Sequence, residues 1–286
     1  MTIIFGLLSA FSYGYADFVG ALAARRIRAL AATTYSFSFG LVIAMVLSMF
    51  VGAEYQSNTV VVSIYAGICS AIAISCLYAA LALGPISIVS PLTAVISAIV
   101  PVVFDVFSGQ ELSSFVLIAV ILILIAVVLV GFVPGEKVKL PSGLATLYSV
   151  GAGLGFSGIF IFLDATGADS GLAPLVIMRA VGLALLLAGL LALWLMPSRQ
   201  KPFIESLSDF KLFGLVLLAG IGDVLGNVGF LVATRNGALA VAAVLTALYP
   251  VGTILLARIF LKERIALSQS FGIALAIGAC ALLALG

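Results

Sequence analysis

The chain of 286 residues is 64% hydrophobic and 8% charged, with a mean hydropathy of +1.37 and a formal net charge of +2. Soluble domains carry about 25% charged residues, and no water-soluble fold of this length could hide so much apolar surface, so the chain is integral to a membrane. The near-neutral charge gives no sign of a nucleic-acid partner. The absence of histidine excludes imidazole metal sites, histidine acid–base catalysis and histidine-based pH sensing.

Apolar runs of about 20 residues cross a bilayer core of about 30 Å as helices, and ten such runs are expected here. The first, 2–24, has no basic segment before it and reads as a retained helix. It carries Tyr13 and Asp17, and Arg25, Arg26 and Arg28 follow it. The second covers 30–51. The third, 60–82, holds Cys69 and Cys76, seven apart on one helix face, which reads as packing and not as a disulfide. Leu83-Gly84-Pro85 turns the chain into the fourth span, 86–107, with Ser90, Thr93 and Ser97 and with Pro91 and Pro101 as candidate kinks. The fifth covers 113–132. After it, Pro134 to Pro141 form a polar stretch. The sixth span, 143–164, contains the close-packing spacing Gly151-Ala-Gly-Leu-Gly155, then Phe156, Ser157 and Phe160. The seventh, 173–196, has Arg179 near its start. The eighth, 210–233, carries Asp223 and Asn227 among Gly220, Gly222, Gly226 and Gly229. Arg235-Asn236-Gly237 turns into the ninth, 238–260, with Thr246, Tyr249 and Pro250, and the tenth covers 266–285.

Residues 65–96 and 218–249 align without a gap at a displacement of 153, about half the chain. Ala66, Gly67, Ile68, Ala80, Gly84, Leu92, Thr93 and Ala94 meet identical residues in the second copy. The expected organisation is a five-helix repeat over 1–133, a polar linker over 134–141 and a second five-helix repeat over 142–286. An odd number of spans per repeat makes the second copy inverted. Charge agrees with inversion, because eleven of the thirteen Lys and Arg end or follow spans one, five, seven and nine and so fall on one side. The positive-inside rule makes that side cytoplasmic and places both termini outside. The fold class is therefore all-α, ten transmembrane helices in two inverted repeats, multi-pass in the cytoplasmic membrane.

A carboxylate near mid-membrane costs roughly 2.5–3.5 kcal/mol on insertion scales, so it faces a cavity or a partner. Asp223 and Asp17 are the two cases, and Asn227 lies one turn from Asp223 on the same face. These three are the candidates for substrate binding or proton coupling; the alternative for Asp223 is a small-residue packing seam with the acid bonded to a neighbouring helix. Neither acid has an acidic twin: Asp223 meets Ser70, and the region matching Asp17 offers Phe156, Ser157 and Gly158. Candidate cavity-lining residues are Tyr13, Tyr78, Ser90, Thr93, Ser97, Phe156, Ser157, Phe160, Thr246 and Tyr249, the hydroxyls for a polar ligand and the rings for a cation. The alternative for the hydroxyls is a bond to their own helix, and for the rings a place in the core or against lipid. Asp105, Asp164 and Arg179 are placed near the outer side, as a gate or as ordinary interfacial charge, with Trp194 and Tyr55 as interfacial anchors.

No phosphate-binding loop is present, which argues against ATP-driven pumping. No selectivity filter or ring of acids suggests a channel. No nucleophile–base constellation or metal cluster suggests an enzyme, and no cofactor or metal is expected. The leading reading is a secondary transporter for a small polar or cationic metabolite, in which proton and substrate compete for a carboxylate. Uptake of a quaternary amine or sugar is one alternative. A non-transporting scaffold or accessory subunit is another. The chain would act as a monomer or homodimer.

The pattern Gly84-(x)8-Thr93 and Gly237-(x)8-Thr246, the run from Tyr249-Pro250 to Lys262-Glu263-Arg264 and the opening Gly14-Tyr15-Ala16-Asp17-Phe18 resemble the drug/metabolite transporter superfamily, EamA-like branch. Asp17 departs from the neutral polar residue commoner there. The resemblance covers essentially the whole chain. It implies ten helices in a five-plus-five repeat and transport of amino acids or related metabolites, commonly outward. It also implies cytoplasmic termini, opposite to the charge count.

Overall fold

A computed structural model describes residues 1–24, 26–27, 29–83, 86–131, 142–195, 209–262 and 266–285. The expected linker 134–141, the Gly84-Pro85 turn and the Tyr78 side chain lie outside what is described. The hydrophobic runs form helices α1 (Thr2–Ala24), α2 (Ala29–Val51), α3 (Ser57–Leu83), α4 (Ile86–Phe107), α5 (Ser114–Gly131), α6 (Gly143–Asp164), α7 (Ala173–Leu195), α8 (Phe210–Arg235), α9 (Leu239–Thr246), α10 (Tyr249–Leu256) and α11 (Leu267–Leu285). Among the described residues, nine spans are long and apolar enough to cross a bilayer, α9 and α10 being two parts of the span Leu239–Leu261, and α11 supplies a shorter tenth.

The helix pairing shows the doubling. If α1 to α5 are matched to α6, α7, α8, α9/α10 and α11, the most extensive contacts between the halves have twins. The α3–α6 packing answers α8–α1, α3–α7 answers α8–α2, and α4–α6 answers the packing of α9 and α10 on α1. The self-matched pairs α2–α7 and α5–α11 lie on the pseudo-twofold axis.

Small residues set the two central seams. A Cβ on Gly155 would lie 2.8 Å from the Ala73 backbone, so α6 and α3 approach as closely as glycine allows. Cys76 and Cys69 fill the same seam against Gly151 and Gly158, are free thiols and act there as small packing residues. In the twin seam, Gly226 (the partner of Ala73 under the 153 displacement) receives the ring of Tyr13 at 2.9 Å from where its Cβ would be. The glycines around Asp223 therefore form a packing seam: Gly222, Gly226 and Gly229 against α1, and Gly220 against α2.

Of the two spans with prolines away from their ends, the ninth is broken into two helices while the fourth is one continuous helix. Pro91 and Pro101 sit inside a continuous α4. Between α9 and α10 the ladder tightens, with the Leu248 amide donating to the Leu245 carbonyl at 3.1 Å and Val251 to Leu248 at 2.9 Å. Pro250, just after the break, has no amide hydrogen to carry an α-helical bond across it.

Candidate functional site

Helix α1 presents two faces. Ile4, Leu8 and Phe11 are exposed apolar residues and form its lipid side. Gly6, Ala10, Tyr13 and Asp17 recur at i, i+4, i+7 and i+11 and form one stripe on roughly the opposite side. The N-terminal half of this stripe is closed: Gly6 abuts Leu245 of α9 and Ala10 is buried. The C-terminal half is open, with Asp17 and Ala21 both exposed. Asp17 is thus exposed on the arc of α1 between its α8-facing and α10-facing sides, away from the lipid side. Tyr13 and Tyr249 both lie within electrostatic range of its carboxylate, and Tyr249 is hydrogen-bonded to Ser90 of α4. Among the described residues, no hydrogen bond or ion pair engages Asp17 itself.

The second expected acid has a partner. Asp223 of α8 forms an ion pair and hydrogen bond with Arg179 of α7. The Arg179 side chain is 3% exposed and that of Asp223 29%. The guanidinium carbon sits 4.5 Å from the centre of the Phe37 ring, which adds a cation–π contact from α2. Tyr13 is within electrostatic range of Arg179 as well as of Asp17. Asn227, expected to offer its amide to a cavity, is 3% exposed and donates at 2.8 Å to the Asp223 backbone carbonyl. The sequence placed Arg179 near the outer side; its long side chain instead reaches the mid-span acid of the next helix. The signal available was opposite charges on consecutive spans.

Four expected cavity hydroxyls are buried between helices and already bonded. Thr93 is fully buried and donates to the Ser149 carbonyl of α6 at 3.3 Å. Ser97 donates to Ala94, and Ser157 to Gly153 and Ile96. Thr246 donates to the Ser9 hydroxyl at 3.3 Å, which in turn donates to the Gly226 carbonyl at 2.8 Å. The physical reason is common to all four: in a hydrocarbon environment a hydroxyl without water takes the nearest acceptor. Phe160 is core as well, stacked on Phe230 with centroids 4.4 Å apart, and Phe156 packs against the same cluster. Of the proposed lining set, Tyr13, Ser90 and Tyr249 are brought together near Asp17.

At the opposite end of the bundle, polar groups join elements instead of lining a space. The Asp105 carboxylate of α4 accepts the Ala240 amide at 2.7 Å, completing the first turn of α9 from the other repeat. Asp164 accepts the Thr234 hydroxyl. Arg235 donates to the Ser170 hydroxyl and to the Gly171 and Gly167 carbonyls. The Leu172 amide donates to the Gly52 carbonyl at 2.9 Å, tying the α2–α3 turn of one repeat to the α6–α7 turn of the other. Asp105 and Asp164, expected as gate or interfacial charges, thus make structural bonds here. Tyr55 and Trp194 are exposed, at 54% and 51%.

The sequence matches the EamA-like transporter family over residues 1–132 and 143–285. A search of curated proteins gave no match. One solved structure, described only as the crystal structure of a protein, superposes with a TM-score of 0.81 at 16% identity, over 99% of this chain and 96% of that one. At that identity the likeness carries the fold alone.

Proposed function

Because the chain belongs to the EamA-like transporter family and is a membrane transporter, we propose that it is a secondary transporter of a small polar or cationic metabolite, working by alternating access between its two repeats. Asp17 is the group that meets the substrate's positive charge or exchanges a proton for it. The observation that carries this reading is a single one: an accessible carboxylate on the inner stripe of α1, flanked by Tyr13 and Tyr249 and free of any partner among the described residues. A membrane helix does not keep such a group unpaired without cost, and a cation arriving between two tyrosine rings compensates it. Asp223, neutralised by Arg179, serves to hold α7 against α8 and is not the ligand's first contact. The stripe is open toward the end of α1 that precedes Arg26. With that basic end on the cytoplasmic side, the cavity loads from the cytoplasm, which fits export of an amino acid or related compound.

The test is a thermal-shift screen of amino acids, amines, sugars and nucleosides on purified protein, followed by counterflow and proton flux in proteoliposomes for the hits. Asp17→Asn is expected to abolish the ligand-induced shift and the counterflow while leaving the unliganded melting temperature within a few degrees. Undiminished counterflow with unaltered pH dependence in Asp17→Asn would overturn the assignment.

A further inference from the structure

Away from the bundle interior, the C-terminal end of α1 and the first turns of α8 enclose a groove of about 630 Å³. Leu22 and Arg26 line it from one side, and Phe210, Lys211, Gly214, Leu215 and Leu218 from the other. Both helix ends are ends of membrane spans, so the groove lies where hydrocarbon meets headgroups. Its lining is graded. The two cations, Arg26 and Lys211, are at the rim. Leu22, Leu215 and Leu218 continue from there toward the membrane interior, Leu218 being 41% exposed. Gly214 leaves the floor empty: a Cβ there would meet nothing within 4 Å. Asp209 neutralises part of the rim by pairing with Arg26 at 3.0 Å and accepting the Lys211 amide at 2.9 Å. Among the described residues that leaves one net positive charge at the rim. Arg26 keeps further guanidinium donors, and the ammonium of Lys211 has no acidic partner among the described residues.

We propose that this groove binds one anionic phospholipid. The phosphate sits between Arg26 and Lys211, and an acyl chain lies over Gly214 along Leu22, Leu215 and Leu218. Charge complementarity selects the occupant. A zwitterionic lipid or a detergent would satisfy the apolar floor but not the cationic rim, and a free phosphate the reverse. A protein partner has no such need for polarity graded along the membrane normal. The site is independent of Asp17 and of the transport reading.

Native mass spectrometry of the full chain, released from mixed vesicles of phosphatidylglycerol and phosphatidylcholine with identical acyl chains, tests the proposal. One phosphatidylglycerol is expected to remain bound in preference to phosphatidylcholine. Lys211→Gln is expected to lower its apparent affinity about fivefold, the worth of one cation near an anionic lipid surface. Gly214→Leu fills the floor with a side chain that favours the helix and is expected to displace the lipid without lowering the melting temperature. Equal retention of the two lipids, or phosphatidylglycerol binding unchanged in both variants, would overturn it. Displacement by inorganic phosphate alone would do so as well, because it would show a headgroup site with no acyl groove.

Discussion

Two carboxylates within membrane spans have opposite situations, and partner supply is what divides them. Asp223 has Arg179 across the α7–α8 contact, whereas Asp17, among the described residues, has Tyr13 and Tyr249 within electrostatic range and no ion-pair partner. A paired buried charge is costly to orphan: removing one partner costs about 3–5 kcal/mol, while replacing both by apolar groups is often neutral. Arg179 is the more deeply buried member. Asp223→Asn, which strands the guanidinium, is therefore expected to lower the melting temperature of the purified protein more than Arg179→Met, which strands a partly exposed acid. The double variant Arg179→Met/Asp223→Leu is expected to recover most of the loss. A double variant no more stable than Asp223→Asn would show that the pair is not the source of the effect. The sequence offered a bond from Asp223 to a neighbouring helix as one alternative and opposite charges on consecutive spans as its signal, but neither the choice nor the asymmetry of the pair was legible, because hydropathy records only that a charge is present. The hydroxyls of Thr93, Ser97, Ser157 and Thr246 were illegible for a related reason: the residue type is the same whether the group meets a ligand or a carbonyl, and only the packing decides.

Elements, by contrast, could largely be read off. In a bilayer every backbone group must be satisfied within the segment, so an apolar run long enough to cross becomes a helix. That rule placed α1 to α8 within a few residues of their observed ends. It could not say which proline breaks a helix. Pro91 and Pro101 lie in an unbroken α4, while Pro250 follows the break between α9 and α10. The short α9 has no capping side chain of its own at Ala238 and borrows Asp105 from the other repeat. Loss of a capping side chain costs about 1 kcal/mol. Asp105→Ala is expected to lower the melting temperature accordingly, whereas Asp105→Asn, which keeps an acceptor, is expected to retain most of the stability. Equal stability of all three proteins would mean that α9 needs no cap from α4.

At the scale of the whole molecule, the two inverted repeats are bonded to each other near both ends of the bundle, Arg26 to Asp209 and Gln269 to the Val130 carbonyl at one end and the bonds around α9 at the other. The Asp105–Ala240 bond and the Gly52–Leu172 pairing link repeat to repeat on the side where α4 ends and α9 begins. The exposed positions Asp17 and Ala21 lie toward the opposite side. In the alternating-access reading proposed above, the Asp105–Ala240 and Gly52–Leu172 links are bonds that a state open on their side would have to break. In the proposed transport reading, Asp17 meets water, and not lipid, from the side of the α1 C-terminus. This is tested most directly by placing a cysteine at position 17 in a chain whose three native cysteines are replaced, and measuring its reaction with a membrane-impermeant thiol reagent from each side of sealed proteoliposomes. The account predicts labelling from the side of the α1 C-terminus, slowed by a transported ligand. Modification only by a lipid-soluble reagent, or equal rates from both sides that no ligand alters, would contradict it.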